Sequence, residues 1–389
     1  MSITFRDADD ARRQRLCIAS SVRPDEVTAE TGRPTSAVPH ILMLSTLYKL
    51  PYRVMRCAAA TGAEVYVFGA SVSSSLRHSR FCQQFRSADV PIDGTACEQL
   101  AQGINQCVAA WGIDLVLAGD GPASRTLIAL RHRIGVPCFP MPDLQSFDLL
   151  NDKWQFYHLC GAAGVRAPDT WLFHNATELK SALEDGTLKG KLIAKPLSQS
   201  GGEGCVVLEA ANPKAKLGQI DYAPVLVQQF IDGNDIGASV FCKRGVVKAF
   251  VAHEYRRDTY RTFADDGIRG QIEKLLRTLE VDGVFNFDMR RDADGQVHYL
   301  ECNPRFFFKI AMSMLAGINF VALGLDDSAA SDGAIILRDR TVRFPKALLC
   351  TLWAAWRIEA ESWKALKFTL ADPIPYLREE IGLEGQTSL

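Results

Sequence analysis

The chain has 389 residues, of which 47% are apolar and 23% charged, and its formal net charge is −1. That length exceeds one ordinary core and the composition is that of a soluble globular protein, so two or three domains are expected. A balance this even excludes nucleic acid or an anionic membrane as the main partner, and no apolar run is long enough to span a bilayer.

Residues 1–37 are polar, Arg-rich and aperiodic, and read as a flexible N-terminal extension. The early Asp7, Asp9 and Asp10 argue against a transit peptide. The eleven cysteines are scattered, with no Cys-x-x-Cys pair and no Cys/His zinc spacing. An odd count with no secretory signal fits reduced thiols in a cytoplasmic protein.

An alternating pattern follows. His40 to Ser45 is an apolar strand, Tyr52 to Ala60 a helix closed by Gly62, and Glu64 to Gly69 the next strand. Gln99 to Trp111 is helical, Asp114 to Ala118 a strand, Ala123 to Ile134 helical and Val136 to Phe139 a short strand. This describes a parallel α/β domain over 38–142. Gly69 follows a strand, but there is no Gly-x-Gly-x-x-Gly, so a dinucleotide site is not supported.

Asn151 and Asp152 can cap the next helix, whose Phe156, Leu159, Cys160 and Ala163 share a face and which Gly164 and Pro168 stop. Lys153 sits in its first turn, where a cation opposes the helix dipole and needs another reason to be there. The strand Lys191 to Lys195 leads into Pro196-Leu197-Ser198-Gln199-Ser200-Gly201-Gly202-Glu203-Gly204 and then the strand Cys205 to Leu208. A Gly-rich loop between strands can fold its N–H groups around phosphates, with Lys195 supplying a point charge. Val225 to Ile231 is a strand, and Asp232-Gly233-Asn234-Asp235 follows it. Lys243 to His253 continues as strands. Arg257 to Arg269 reads as a mobile segment, and Arg256 or Arg261 could hold a substrate carboxylate bidentately. Ile272, Leu275, Leu276 and Leu279 make a helix face.

Val284 to Arg291 and Gln296 to Asn303 then read as strands joined by Asp294-Gly295, a two-residue hairpin signal. Counting back from that turn sets Arg290 opposite Tyr299, Asp288 opposite Glu301 and Asn286 opposite Asn303. Alternation puts Asn286, Asp288, Arg290, Glu301 and Asn303 on one face. Two facing carboxylates repel unless something neutralises them. A Mg²⁺ ion held by one or two carboxylates plus substrate phosphates does so, and an ordinary solvent-facing hairpin has no need of acid, acid, amide and Arg in one register. The tail, 326–389, carries helices with Trp353, Trp356 and Trp363, then Asp372-Pro373-Ile374-Pro375.

In this order the motifs resemble the ATP-grasp superfamily: a Lys at a helix start, a Lys before a Gly-rich loop, a strand ending near an acid, then Asp288 and Glu301-Cys302-Asn303-Pro304-Arg305. The resemblance covers roughly residues 151–320. It is of the carboxylate-amine or carboxylate-thiol ligase kind, similar to the ATP-binding domains of the carbamoyl-phosphate synthetase large subunit. It implies an α/β N-terminal domain followed by an α+β ATP-grasp fold of two lobes (143–325, lobes about 151–225 and 226–325) and a helical C-terminal tail. By resemblance, Lys153 and Lys195 reach the nucleotide phosphates, with Ser200, Gly201, Gly202 and Gly204 in the phosphate loop. Gln228, Gln229, Phe230 and Ile231 follow the adenine edge, largely through backbone, and Asp235 binds the ribose hydroxyls. Asp288, Glu301 and Asn303 ligate Mg²⁺ (Mn²⁺ being the alternative), and Arg305 steadies the acyl-phosphate chemistry with Lys195.

Two departures stand out. Gln228-Gln229 replaces the common Gln-Glu, and Phe306-Phe307-Phe308-Lys309 replaces a small or Gly-containing run, which narrows the acceptor pocket unless the rings are core. The implied chemistry is ATP- and Mg²⁺-dependent ligation. A carboxylate takes the γ-phosphoryl group, and an amine or thiol displaces phosphate from the acyl phosphate, giving ADP and phosphate. The alternatives are an ATP-grasp phosphotransferase without ligation, or a non-catalytic ATP-binding subunit. Expected partners are small carboxylate and amine substrates, amino-acid-like, and a second copy as a homodimer. No general base is compelling among His253, Glu254, Tyr255 and Arg256.

Overall fold

The computed structural model describes residues 38–197, 202–209, 211–212, 214–256, 258–325, 334–343 and 360–380. The N-terminal extension, Ser200, Gly201, Arg257, Trp353 and Trp356 lie outside the described residues.

β1 (His40–Ser45), β2 (Glu64–Gly69), β3 (Cys82–Ser87) and β4 (Leu115–Ala118) form a parallel sheet in the order β3-β2-β1-β4. Ile41, Leu42, Met43 and Leu44 are all fully buried, which is why β1 reads as a continuous apolar run rather than an alternation. Three expected helices are present as Lys49–Ala59, Cys97–Trp111 and Gly121–Leu130. Two elements are additional, a 3₁₀ turn over Ser71–His78 and β3, an edge strand whose Cys-Gln-Gln-Phe-Arg-Ser sequence carries no apolar alternation. The expected strand Val136–Phe139 reduces to one parallel bridge between Val116 and Cys138.

The chain then forms Leu144–Asn151, capped by Asp143, and Lys153–Ala162, capped by Asp152, whose carboxylate accepts from the N–H groups of Trp154 and Gln155. β5 (Thr170–Phe173), β6 (Leu192–Lys195), β7 (Val206–Leu208) and β8 (Val225–Gln229) make an antiparallel sheet in the order β5-β8-β6-β7. β5 and the helix Ala176–Glu184 behind it were not anticipated.

The largest sheet takes β9 (Asn234–Lys243), β10 (Val246–Arg256), β11 (Thr259–Phe263), β12 (Gly283–Arg291), β13 (Val297–Asn303), β14 (Ile335–Ile336) and β15 (Thr341–Arg343). Their order is β13-β12-β9-β10-β11-β15, with β14 beside β10. One face carries the helix Asp266–Arg277 through Ile268, Ile272, Leu275 and Leu276. Of the segment Arg257–Arg269, expected to be mobile, the described residues 258–269 hold β11 and the start of this helix. Alternation decides it: Tyr260 and Thr262 are fully buried while Arg261 between them is exposed. The Tyr260 hydroxyl meets Ser313 Oγ at 2.7 Å on the helix Ile310–Ala316, and Phe320–Leu325 follows.

Of the last described helices, Ala360–Leu370 packs against β15 and the helix Ile310–Ala316, and Pro373–Glu380 against the 3₁₀ turn Ser71–His78. Buried Asp372 accepts from the Tyr52 hydroxyl at 3.0 Å, from Ser79 Oγ and from the N–H of Arg80. Arg56, also buried, stacks over Phe368 at 3.8 Å and donates to its carbonyl. No helix among the described residues is long and apolar enough to cross a membrane.

Candidate active site

The hairpin β12–β13 brings the acids together, though by a route other than the one expected. Its turn is not the two-residue Asp294-Gly295 loop. Asp292 Oδ1 accepts from the N–H groups of Asp294 and Gln296, and Asp292 Oδ2 meets His298 Nε2 at 2.8 Å, so the strands end at Arg291 and Val297. Arg290 therefore lies opposite His298, not Tyr299. A bulge between the Met289/Tyr299 and Asp288/Glu301 pairs then inserts one residue and restores Asp288 opposite Glu301 and Asn286 opposite Asn303.

The acids and amides form one network. Asn303 Nδ2 donates to Asp288 Oδ2 at 3.1 Å and to Glu301 Oε1 at 3.5 Å, and Asn286 Nδ2 donates to Asp288 Oδ1 at 3.2 Å. Ser239 Oγ fixes Asn286 in turn. Arg305 Nη2 donates to Asn303 Oδ1 at 2.8 Å and its Nη1 to the Phe306 carbonyl. Lys153 pairs with Glu301 at 3.2 Å, which is the reason a cation sits in that first helical turn. Burial and then repulsion from Glu301 raise the Asp288 carboxyl from 3.8 to about 6. Burial pushes Glu301 up as well, but Lys153 and Lys195 outweigh it and hold Glu301 below the usual range. Burial holds the Arg305 guanidinium below its ordinary value, against the pull of Glu301, Asp120 and Asp288.

Lys195, at the end of β6, is buried and donates to Gln228 Oε1 at 2.9 Å, while Gln228 Nε2 donates to Thr170 Oγ1. Burial lowers its pKa, opposed by Glu301. Gln228 thus contributes its side chain, aiming Lys195, rather than backbone alone. The N–H groups of Gln229 and Phe230 are already donated to the Asp169 and Lys191 carbonyls. The Phe230 ring lies 4.2 Å from Lys191 Nζ and 4.8 Å from the Arg290 guanidinium. Asp235 is 81% exposed and pairs with Arg290 at 3.1 Å, and Ile231 is buried. Gly202 and Gly204 close a turn in left-handed conformations, with Cys205 N–H bonded to the Gly202 carbonyl. Asp288, Glu301, Asn303, Arg305, Lys153, Lys195 and Gln228 therefore stand together, while Phe230 and Asp235 are joined to each other through Arg290.

Arg256 and Arg261 face Glu254, at 4.0 and 3.7 Å, and neither lines the cavity beside the acids. That cavity, about 960 Å³, opens where the residues after β1 and β4 face the hairpin. Asp120, which the sequence reading passed over, shapes this wall. Fully buried, it accepts from Thr46 N–H, Thr46 Oγ1 and Leu47 N–H, and caps Gly121–Leu130 through Ala123 N–H. The Asp120-Gly121-Pro122 run between strand and helix was a legible cap signal. A Cβ on Gly121 would lie 2.8 Å from Arg305 Nε, so glycine there lets Arg305 in. Phe306 and Phe307 are core against Phe139 and Phe320, whereas Phe307 and Phe308 also border the cavity.

Among the described residues no three His, Cys, Asp or Glu side chains form a common metal cluster. The protein offers two facing carboxylates, a donor set that suits a hard cation completing its shell with phosphate and water. Asn303 meets these acids with its amide nitrogen, so ligation through Oδ1 requires the amide to turn over and release Arg305.

A model of the family described as "ATP-grasp in the biosynthetic pathway with Ter operon" matches residues 221–342. No curated protein sequence matches the chain. Solved structures do. An L-amino acid ligase from Bacillus licheniformis aligns with a TM-score of 0.63 and 17% identity over 82% of this chain and 85% of that one. The ADP complex of N5-carboxyaminoimidazole synthetase from Staphylococcus aureus gives 0.63 and 14% over 82% and 85%. A biotin carboxylase from Campylobacter jejuni gives 0.56 and 16% over 75% and 71%. The acid hairpin lies inside the segment matched by the family model, and the chain has the ATP-grasp fold.

Proposed function

We propose that this chain is an ATP- and Mg²⁺-dependent ligase that activates a small carboxylate as an acyl phosphate and joins it to an amine (or thiol), releasing ADP and phosphate. The observation that carries the reading is the pairing of Asp288 with Glu301 in one register, with Lys153 against Glu301 and Arg305 two bonds away through Asn303. Domain limits of 38–142, 143–325 and 326–389 and a cytoplasmic setting belong to the same reading.

Asp288 and Glu301, with Asn303 once its amide is turned, would hold the Mg²⁺ ion. Bound there, the ion supplies neutralisation of phosphoryl charge. Lys153 and Lys195 hold the nucleotide phosphates, and Gln228 keeps the Lys195 ammonium aimed at them. Arg305 orients the carboxylate and offsets the charge that builds as phosphoryl moves to it. Phe230, flanked by two cations, and Asp235, held by Arg290, frame the base and ribose. The L-amino acid ligase and N5-carboxyaminoimidazole synthetase likenesses support ligation as the chemistry of this fold.

ADP and free phosphate should appear together, and only when both acid and amine are supplied from an amino-acid pool. Hydroxylamine should trap a hydroxamate when the amine is left out. AMP with pyrophosphate would contradict the mechanism. Lys195→Ala should weaken ATP binding roughly ten- to a hundredfold, the loss of one charge-assisted contact of about 1.5–3 kcal/mol. Calorimetric titration with ATP checks it, and unchanged affinity would remove Lys195 from the phosphate site.

A further inference from the structure

Each expected cation of the site has a partner in the protein, whereas a further cation, Lys309, which was not among those expected, has no carboxylate partner among the described residues. Lys153 has Glu301, Lys195 has Gln228, and Arg305 has Asn303 and the Phe306 carbonyl. Lys309 lines the cavity with its ammonium 5.1 Å from the Tyr255 ring centre, and no carboxylate among the described residues ion-pairs with it. It also stands at the N-cap of Ile310–Ala316, where a cation opposes the helix dipole. Burial holds its amine below the ordinary lysine value, with Asp288 and Asp235 pulling the other way. An ammonium drawn partly out of water with no carboxylate at ion-pair distance is costly, and the Tyr255 ring offsets only part of that.

Its side of the acid pair is informative. Lys153 ion-pairs with Glu301 and Lys195 feels both acids, whereas Lys309 feels Asp288 and not Glu301. The cavity borders Lys309, Arg305, His253 and Phe308 but neither Lys153 nor Lys195. Phosphates belong on the lysine pair's side and the acid to be activated on the cavity side. Arg305, bonded to Asn303, already meets the carboxylate at the reacting end, and Lys309 lies four residues further along the cavity wall. His253 beside it is buried, and burial keeps its imidazole neutral, so it adds no competing charge.

We propose that Lys309 binds a second anionic group, carboxylate or phosphate, on the acid that is activated, so that the substrate class is a dianionic acid. This rests on the cavity being the acid site of the proposed ligase. The test is acylation of lysines on the intact protein, read by peptide mass spectrometry, with succinate, L-glutamate or O-phosphoserine present and butyrate or L-alanine as monoanionic controls. Lys309 should label in the free protein and be protected several-fold by at least one dianion and by neither control. Glutamate and phosphoserine separate the two anion types. Absence of labelling, absence of protection by all three dianions, or equal protection by the controls would overturn the assignment. In the ADP-release assay Lys309→Met should raise the KM of the protecting acid roughly ten- to a hundredfold, more than it lowers kcat, with Lys309→Arg recovering most of it. If the wild type releases no ADP with any acid, the ligase reading fails, and the labelling result still decides Lys309.

Discussion

Glu301→Ala is expected to abolish ATP-dependent turnover and to lower stability by about 2–3 kcal/mol. Removing one partner of a buried ion pair typically costs ~3–5 kcal/mol because the other charge is stranded. Here the stranded charge is Lys153, whose side chain is only 6% exposed. The figure is reduced because the same substitution relieves Asp288 of a facing like charge. Denaturant titration and an ADP-release assay on the same preparation read both effects. Turnover near the wild-type rate would sink the metal assignment.

Asp288→Asn should also abolish turnover but shift stability the other way. The folded carboxyl titrates at about 6, above its usual 3.8, so the folded state favours the protonated acid. That contribution is fully present below about pH 3.8 and is lost as the pH rises through about 6. Near pH 7 the ionised group carries burial and repulsion as a penalty, which the neutral amide removes. In chelator and without nucleotide, Asp288→Asn should be more stable than wild type by about 1–3 kcal/mol at pH 7 and about equal to it at pH 4. A variant less stable at pH 7 would show that Asp288 is held by favourable contacts and is not under strain from Glu301.

The opposite responses of two facing acids also show what the sequence could disclose. Their register was legible because period-2 alternation and the approximate turn position constrain pairing strongly. The turn itself was misread, since the Asp292 carboxylate builds a longer one, and a bulge one pair before the acids cancelled the slip. The apolar β1 and the amphipathic Asp266–Arg277 were plain, because burial on a regular period leaves a pattern. β3 and β11 were not, being an edge strand of polar residues and a strand rich in Thr and Arg. Contacts far apart in sequence were invisible: Gln228 to Lys195 depends on which strands pair within one sheet, and Lys153 to Glu301 and Gly121 to Arg305 on how helices and loops pack around the hairpin.

The helix Lys49–Ala59 behaves as a beam loaded at both ends. Lys49 and Leu50 border the cavity, and Arg53 lies flat on Phe308, 3.5 Å from the ring centre. One turn further, Tyr52 and Arg56 are fastened to Asp372 and Phe368. A chain cut short before Phe368 would take from the Arg56 guanidinium and from the Tyr52 and Ser79 hydroxyls the acceptors they meet there. The damage would then be transmitted along the beam to the wall beside Phe308, so the C-terminal helices act as an anchor for the cavity through the helix Lys49–Ala59.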